Sequence, residues 1–443
     1  MTTKQLFNRQ FESHIKELQI YSDSTFDQIN NFIDQVFLMD SLMAKPYNTQ
    51  LELFFPKFDS FNFIDLQKLQ SQIFEEVKPL INQKINEKDQ FKLQSNSNSQ
   101  SFIQSQQSQS IEQPQIKYTT PELNLQQFKY QIIKDYSIQE AQRCRAIAIK
   151  KDCSIVAVNC DKLIKIFQFK QGAMKQIQIL NEHKNNVTTL NFMQKSNQLI
   201  SGDYVGNIVI WQKNNNNQWN PSQKFKGHSD YINCLILNSN EDLFISCSDD
   251  KIIKFWIKQN DWTYQQSITN HTGSVYSISL NDQQDTVISC GIDKMILVIE
   301  HSEQFKRWFV IYNITVDFYG KRLCFISNNL FTFQPNDGNQ MHVYEMNSVS
   351  KQFTKTKEIT INQGFDDWQL FPQQYNKQKQ ILVNKHGEYV NFIKKTEKDG
   401  FKVEQSIQFN TNELFGQLSD DGEYFISWDG TSKQIQIRRY REE

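Results

Sequence analysis

The chain has 443 residues, of which 38% are hydrophobic, so it is long enough for two or three ordinary domains or for one large repeat domain with an appendage. Its 48 basic and 49 acidic side chains nearly cancel, which argues against nucleic acid or an anionic membrane surface as the partner. The N-terminal apolar runs are interrupted by charges, and no stretch approaches the roughly 18 apolar residues of a membrane span. We therefore expect a cytoplasmic protein without membrane insertion, and a nuclear location stays open.

Residues 1–92 show the periodicity of amphipathic helices. The first apolar face is formed by Phe7, Phe11, Ile15 and Leu18. A later apolar run begins like a coiled-coil seam, but Pro79 lies inside it and the heptad does not persist. The sequence therefore predicts a small α-helical N-terminal region, and coiled-coil pairing stays open as an alternative.

Residues 93–117 form a segment rich in Gln, Ser and Asn. Between Gln94 and Ser110, fifteen of seventeen residues are of these types and none is charged. Such a segment cannot bury enough apolar surface to offset the entropy lost on ordering. We predict a disordered linker, and self-association of the Gln/Asn-rich kind is the alternative.

In residues 118–443 the pattern changes to short alternating strands between polar turns, and one strand end recurs at nearly constant spacing. The successive spacings are 44, 45, 43, 45, 48 and 45 residues. The recurring strand ends are Phe167, Trp211, Trp256, Ile299, Tyr344, Phe392 and Ile437. Seven such units, each with about four strands, predict an all-β, seven-bladed β-propeller. Six or eight blades are the less favoured alternatives.

Three consecutive units share a His before one strand and a Ser within the next. These residues are His183, His228 and His271, and Ser201, Ser246 and Ser289. Over about residues 125–443 the pattern resembles the WD40-repeat family, whose units carry a Gly-His loop and a closing aromatic residue. The resemblance implies a propeller that serves as a rigid docking platform.

The resemblance also implies that the third unit holds a buried hydrogen-bonded tetrad of His228, Ser246, Asp250 and Trp256. The Asp would hold the imidazole tautomer, the imidazole would meet the Ser hydroxyl, and the Ser would meet the indole N–H. A catalytic triad is the alternative, but its Ser would lie at an exposed, strained turn. Ser246 instead lies inside an alternating strand. We therefore predict a structural tetrad and no catalytic residue.

The neighbouring units carry partial tetrads. Val205 stands where the second unit needs its turn Asp, and Ile299 stands where the fourth unit needs its Trp. The remaining members are His183, Ser201 and Trp211 in the second unit, and His271, Ser289 and Asp293 in the fourth. Units five to seven are recognised from strand pattern and spacing alone.

The last unit lacks an outer strand within its own stretch of sequence, because only "RRYREE" follows its third strand. An open sheet edge promotes association, and ring closure removes it. Residues 128–133, "FKYQII", alternate as a strand should. We predict that they complete the last blade.

The functional expectation is a non-catalytic scaffold that binds other proteins. The sequence has no phosphate loop, nucleophile elbow or HExxH motif, and its seven cysteines show no CxxC pair or zinc-ligand spacing. We therefore predict no enzyme activity, metal, cofactor or small-molecule substrate. Aligning the repeats places six candidate partner-binding residues around one mouth of the ring: Asn186, Tyr204, Tyr231, Asp249, Ser274 and Ile292.

Two more specific roles stay open. The blade style is similar to that of the WD40 subunit of the cytosolic iron–sulfur protein targeting complex, which implies docking of assembly factors without ligation of the cluster. A ubiquitin-ligase substrate adaptor is the other alternative, although the sequence shows no F-box or RING.

Overall fold

The computed structural model describes residues 127–365, 370–396 and 400–442. The predicted helical region (1–92), with its coiled-coil alternative, and the predicted linker (93–117) lie outside these residues and stay predictions. The described part of the chain is built almost entirely from strands, because short alternating apolar runs are separated by polar turns.

The first strands are β1 (Phe128–Ile132) and β2 (Ile138–Gln139), with a 3-10 turn at Lys134–Tyr136 between them. Blade 1 comprises β3 (Ile147–Ile149), β4 (Ile155–Cys160), β5 (Leu163–Lys170) and β6 (Ala173–Leu180). Blade 2 comprises β7 (Val187–Phe192), β8 (Gln198–Asp203), β9 (Asn207–Lys213) and β10 (Trp219–Lys226). Blade 3 comprises β11 (Ile232–Leu237), β12 (Leu243–Ser248), β13 (Ile253–Lys258) and β14 (Trp262–Ile268).

Blade 4 comprises β15 (Val275–Leu280), β16 (Thr286–Gly291), β17 (Met295–Ser302) and β18 (Arg307–Thr315). Blade 5 comprises β19 (Gly320–Ser327), β20 (Leu330–Pro335), β21 (Gln340–Met346) and β22 (Phe353–Thr360). Blade 6 comprises β23 (Gln374–Asn376), β24 (Ile381–His386), β25 (Tyr389–Lys395) and β26 (Phe401–Gln408). Blade 7 comprises β27 (Leu414–Leu418), β28 (Tyr424–Asp429) and β29 (Gln434–Glu442), completed by β1.

Seven antiparallel sheets form a closed ring. In blades 1 to 6 the four strands pair in sequence order from the inner to the outer strand. Inner strands of neighbouring blades contact each other all the way round, including β27 of blade 7 with β3 of blade 1. The predicted seven-bladed β-propeller is confirmed.

The outer strand of blade 7 comes from the other end of the described chain. β1 runs antiparallel to β29, with Tyr130 opposite Tyr440. The Ile133 N–H extends this ladder by donating to the Ile437 carbonyl at 2.8 Å. β2, which the sequence did not predict, pairs with the start of β29. Two N-terminal strands therefore cover one edge of the last blade.

Tyr130 anchors β1 to the ring. Its ring is buried and stacks on Phe392 of blade 6 with 4.5 Å between centroids. Its hydroxyl donates to the Gly422 carbonyl at 2.7 Å, and its backbone N–H donates to Gln405 Oε1, also at 2.7 Å. Closure therefore combines a strand ladder with buried aromatic packing.

A glutamine bridge links the outer strands of neighbouring blades, and the sequence did not reveal it. In each case the side-chain amide accepts from the backbone N–H of a Trp at the start of the next outer strand, and it donates to the carbonyl of the same Trp. The pairs are Gln178 with Trp219, Gln223 with Trp262, and Gln266 with Trp308. The three tryptophan rings are buried within their clusters. The same residues therefore supply packing and a hydrogen-bonded contact between blades.

Candidate functional site

Blade 3 holds the four residues of the predicted tetrad in one hydrogen-bonded chain. His228 Nδ1 lies 2.9 Å from Asp250 Oδ2, and His228 Nε2 lies 2.7 Å from Ser246 Oγ. The Trp256 indole N–H donates to the same Ser246 oxygen at 3.0 Å. Since Nδ1–H donates to the carboxylate, Nε2 accepts the proton of the Ser hydroxyl. Every polar group of this tetrad has a hydrogen-bond partner. The tetrad joins the loop before β11 to strands β12 and β13.

Blade 2 holds a complete tetrad, which corrects the expectation that Val205 leaves a gap. The carboxylate comes from Asp203, two residues earlier, whose Oδ2 lies 3.0 Å from His183 Nδ1. Ser201 Oγ lies 2.7 Å from His183 Nε2 and accepts the Trp211 indole N–H at 2.8 Å. Asp203 can take the role of the turn Asp, because a carboxylate at the end of β8 reaches the same imidazole nitrogen, Nδ1, as a carboxylate in the following turn does.

Blade 4 holds the shortened set that the sequence indicates. His271 lies 2.8 Å from both Asp293 Oδ2 and Ser289 Oγ. Ile299 occupies the place of the Trp, so this Ser receives no indole N–H.

Blade 7 holds a substituted set that spacing alone did not reveal. Arg438, not Ile437, occupies the aromatic position, because it lies opposite Phe425 as Trp256 lies opposite Phe244. Its Nη1 donates to Ser427 Oγ at 2.9 Å, and its guanidinium lies over the Phe409 ring. In blade 6 the same register places Ile393, not Phe392, in this position.

The blade 3 tetrad keeps its carboxylate ionised and its imidazole neutral. Burial alone would raise the pKa of Asp250, but hydrogen bonding and charge attraction from His228, with two backbone N–H groups, lower it to about 2. Burial lowers the pKa of His228 despite this carboxylate. Burial alone would raise the carboxyl pKa values of Asp203 and Asp293, but hydrogen bonds from their His partners and nearby N–H groups, together with charge attraction from the His, lower them.

We expect the propeller to lose stability in acid. In the unfolded chain Asp titrates near pH 3.9 and His near pH 6.5. The folded tetrad binds fewer protons than the unfolded chain between roughly pH 6.5 and pH 2, so the free energy of unfolding falls as pH is lowered through this window. The Asp250 contribution is present above about pH 3.9 and is lost toward about pH 2.

Urea unfolding at pH 7, 5, 4 and 3 measures this dependence. The variant Asp250→Asn should be less stable at pH 7 and should show a smaller pH slope below pH 5. Asp261→Asn, at an exposed position, is the control and should keep the slope of the original protein. An unchanged slope in Asp250→Asn would contradict the assignment.

The predicted partner-binding residues lie on loops of one rim, and the structure joins them in pairs. Within each blade, the backbone N–H of the turn residue donates to the carbonyl of the residue before the inner strand, at 2.9 to 3.0 Å. The pairs are Tyr204 with Asn186, Asp249 with Tyr231, and Ile292 with Ser274. The rim residues are therefore held by the blades themselves.

Two tyrosines from different blades meet on this rim. The Tyr204 and Tyr231 rings have centroids 4.1 Å apart. Tyr204 is 45% exposed, and Tyr231 is half-buried against the apolar cluster that blades 1 and 7 share. Ile292 is also exposed. Asp249 accepts from Asn233 Nδ2 at 2.7 Å, and burial raises its pKa.

The same pairing continues into units that the sequence alignment left out. Asp161 N–H donates to Arg143 O, Asn336 N–H donates to Tyr319 O, and Gly430 N–H donates to Glu413 O. Arg143 also forms an ion pair with Glu413 across the junction of blades 1 and 7. Constant spacing could have found two of these positions, since Arg143 lies 43 residues before Asn186 and Tyr319 lies 45 residues after Ser274.

In the described part of the chain, no group of three or more His, Cys, Asp or Glu residues is placed to hold a metal ion. None of the helices described there has the length and apolar character needed to cross a bilayer. All seven cysteines are free thiols.

The ring of seven sheets, six with four strands and one with five, and the repeated His–Ser–carboxylate sets define the class of protein as a β-propeller. The family described as "WD domain, G-beta repeat" matches residues 174–212, 219–256 and 262–300. These stretches include most of β9, β13 and β17, the closing strands of the three blades that carry the His–Ser–carboxylate sets. These three stretches are therefore WD40 repeats within a seven-bladed β-propeller.

Two curated relatives match short stretches of the chain. Polyadenylation factor subunit 2 of Candida albicans is 31% identical over 78 residues, which cover 18% of this chain and 14% of the relative. Nuclear distribution protein PAC1 of Candida tropicalis is 50% identical over 44 residues, which cover 10% of this chain and 9% of the relative. The matched stretch thus covers 14% or less of each relative. Their names lend no support to the iron–sulfur alternative.

Proposed function

We propose that this protein is a non-catalytic scaffold that binds another protein at the rim bearing Tyr204 and Tyr231. The observation that carries the proposal is the contact of these two rings, one exposed and one half-buried, beside the mouth of the ring. WD40 propellers generally bind other proteins, which supports a protein as the ligand.

The rim suits protein binding for two physical reasons. Tyrosines bury a large area at low cost in side-chain entropy and are enriched among residues that dominate interface energy. The backbone hydrogen bonds of the rim loops also keep the ordering cost of association small.

The Ser–His–Asp sets support a structural rather than a catalytic role. Ser201, Ser246 and Ser289 are fully buried within β-strands, where no substrate reaches their hydroxyls. In the tetrads of blades 2 and 3 the Ser oxygen also accepts an indole N–H. A nucleophilic Ser needs an open face and an oxyanion hole.

Removing both rim tyrosines should weaken the partner complex at least tenfold. The double variant Tyr204→Ala/Tyr231→Ala loses two aromatic anchors, each commonly worth about 2 kcal/mol in an interface. Isothermal titration calorimetry with the partner measures the loss, and thermal unfolding shows whether the fold is intact. The matched control Tyr136→Ala/Tyr264→Ala removes two exposed tyrosines, from the 3-10 turn and from outer strand β14, and should bind normally.

The partner itself is found by affinity purification of the tagged full chain followed by mass spectrometry. We expect at least one protein to be recovered by the original chain and by the Tyr136/Tyr264 control, and lost with the Tyr204/Tyr231 variant. If every recovered protein binds both double variants equally, the rim is not the docking surface.

A further inference from the structure

Arg145 is a buried cation whose side chain is incompletely paired. It lies two residues after Arg143, where the chain passes from the rim into β3, and only 6% of its surface is exposed. Its Nε and Nη1 atoms have no hydrogen-bond partner. It forms a long ion pair with Asp161, whose Oδ1 lies 3.7 Å from Nη1 and whose side chain is 42% exposed. A buried charge of this kind lowers stability unless something compensates it.

The repeat explains why two nitrogens of Arg145 lack hydrogen-bond partners. The equivalent residues of blades 2 and 3 are Thr188 and Asn233, which lie two residues before Leu190 and Leu235 as Arg145 lies before Ile147. Each donates to a backbone carbonyl of the next blade: Thr188 to Ile232 O at 2.6 Å and Asn233 to Val275 O at 2.9 Å.

In blade 1 the corresponding carbonyl is already occupied. Asn159 Nδ2 donates to Val187 O at 2.9 Å, so Arg145 is not needed for this link between blades. A Thr or Asn would satisfy the geometry of the repeat at this position, whereas the chain carries a permanently charged guanidinium.

The Arg145 side chain lines a cavity inside the ring. The cavity has a volume of about 330 Å³, and Thr188, Asn233 and Gln417 are among its other lining residues. This is at the small end of the range for ligand pockets, enough for a side chain but not for a folded element. The hydrogen-bond donors and acceptors that line the cavity can bind a polar group that enters through the mouth of the ring.

The local charges favour a single negative charge in this cavity. Arg143 already has an ion-pair partner in Glu413. Burial lowers the pKa of Arg145, and Arg143 adds to that effect, so a nearby anion relieves both causes. Asp161 and Asp249 stand on the same rim and oppose a doubly charged group. A carboxylate therefore fits better than a phosphate.

We propose that Arg145 binds the carboxylate of an acidic side chain carried by the protein that docks on the rim. The inference rests on the docking function proposed above and adds the chemistry that the partner must present. A guanidinium binds a carboxylate through paired N–H donors, and such charge-assisted hydrogen bonds are stronger than those between neutral groups. The rim tyrosines would hold the peptide backbone around this contact.

Peptide mixtures test the proposal even while the partner protein is unidentified. Three immobilised mixtures of nine-residue peptides carry Glu, Gln or phosphoserine at the centre and mixed residues elsewhere, and each is probed with the labelled full chain. We expect at least tenfold more binding to the Glu mixture than to the Gln mixture, with phosphoserine no better than Glu. Arg145→Gln should abolish the preference for Glu over Gln.

Each other result has a defined meaning. Equal signals on the Glu and Gln mixtures, including no signal on either, overturn the proposal. Stronger binding to the phosphoserine mixture than to the Glu mixture would show that the site prefers a phosphate to a carboxylate, and would overturn it too. If Tyr204→Ala/Tyr231→Ala binds like the original chain while Arg145→Gln loses the preference, the Arg145 site stands and the tyrosine surface fails. If only the tyrosine variant loses binding, the docking surface stands and the Arg145 site fails.

Thermal unfolding separates a binding role from a structural one. Arg145→Gln should unfold at the same temperature as the original chain or higher, because it removes a poorly compensated buried charge. Arg438→Gln is the matched control, since Arg438 is also buried but donates to Ser427 and Gln436. The control should unfold at a lower temperature. An equal fall in both variants would make Arg145 a structural residue and overturn the proposal.

Discussion

A chain that begins at residue 140 should aggregate, whereas one that begins at residue 118 should stay monomeric. The shorter chain lacks β1 and β2, so β29 exposes a free edge that pairs with other copies. It also loses the buried rings of Phe128 and Tyr130, each worth about 3–5 kcal/mol in a core. That loss is comparable to the whole stability of a typical domain, about 5–15 kcal/mol. Size-exclusion chromatography and thermal unfolding compare the two chains.

Single substitutions in the full chain separate the effect of lost side-chain packing from the effect of shortening the chain. Tyr130→Ala removes the ring that stacks on Phe392 and the hydroxyl that bonds Gly422, and should lower the melting temperature strongly. Tyr136→Ala, at an exposed position in the turn after β1, is the control and should change little. Equal solubility and equal melting temperature of the two shortened chains would show that β1 does not close the ring.

Ser246→Ala should destabilise the propeller by about 2–4 kcal/mol, because it leaves both His228 Nε2 and the Trp256 indole N–H without a partner in the core. Ser289→Ala in blade 4 is the matched control. This variant leaves only His271 Nε2 without a partner, because Ile299 has no side-chain N–H. Its loss of stability should be about half as large as that of Ser246→Ala. Urea unfolding of the two variants measures the difference.

Two results would contradict the structural interpretation of the tetrads. One is an equal loss of stability in both Ser variants, because the indole would then contribute nothing. The other is a hydrolase activity that Ser246→Ala abolishes while the melting temperature stays unchanged.

The blade count could be predicted because strand ends recur at a period that a propeller blade enforces. Each blade needs four strands of similar length around one axis, so Trp211 and Trp256 fall 45 residues apart even where other positions differ. The blade 3 tetrad could be placed because the family resemblance supplies its pattern, and the structure brings His228 and Ser246 to 2.7 Å.

The amino-acid sequence alone could not identify the tetrad Asp of blade 2 or the residue in the aromatic position of blade 7. Asp203 and Asp250 follow their Ser residues by two and four positions, and only the three-dimensional turn shows that both reach a His Nδ1. Arg438 follows Ser427 by eleven residues instead of the ten between Ser246 and Trp256, so a count from the Ser identifies Ile437.

The glutamine bridges and Arg145 were hidden for a different reason. Glutamine is frequent along the whole chain, so Gln223 carries no signal until its amide is found against the Trp262 backbone. Arg145 became informative only when its equivalents proved to be hydrogen-bonded and it proved to be buried with two of its nitrogens unbonded. Both depend on contacts between blades, which lie about one repeat apart in sequence.

Site-specific photo-crosslinking tests the central claim, that the partner docks on the rim of the tyrosines, most directly. The photoreactive amino acid benzoylphenylalanine is placed at position 204 or, as the control, at position 264 on the outer strand β14. Each full chain is then irradiated in an extract of its native source. We expect a crosslinked partner from position 204 and none from position 264. A partner captured from position 264 and absent from position 204 would contradict it.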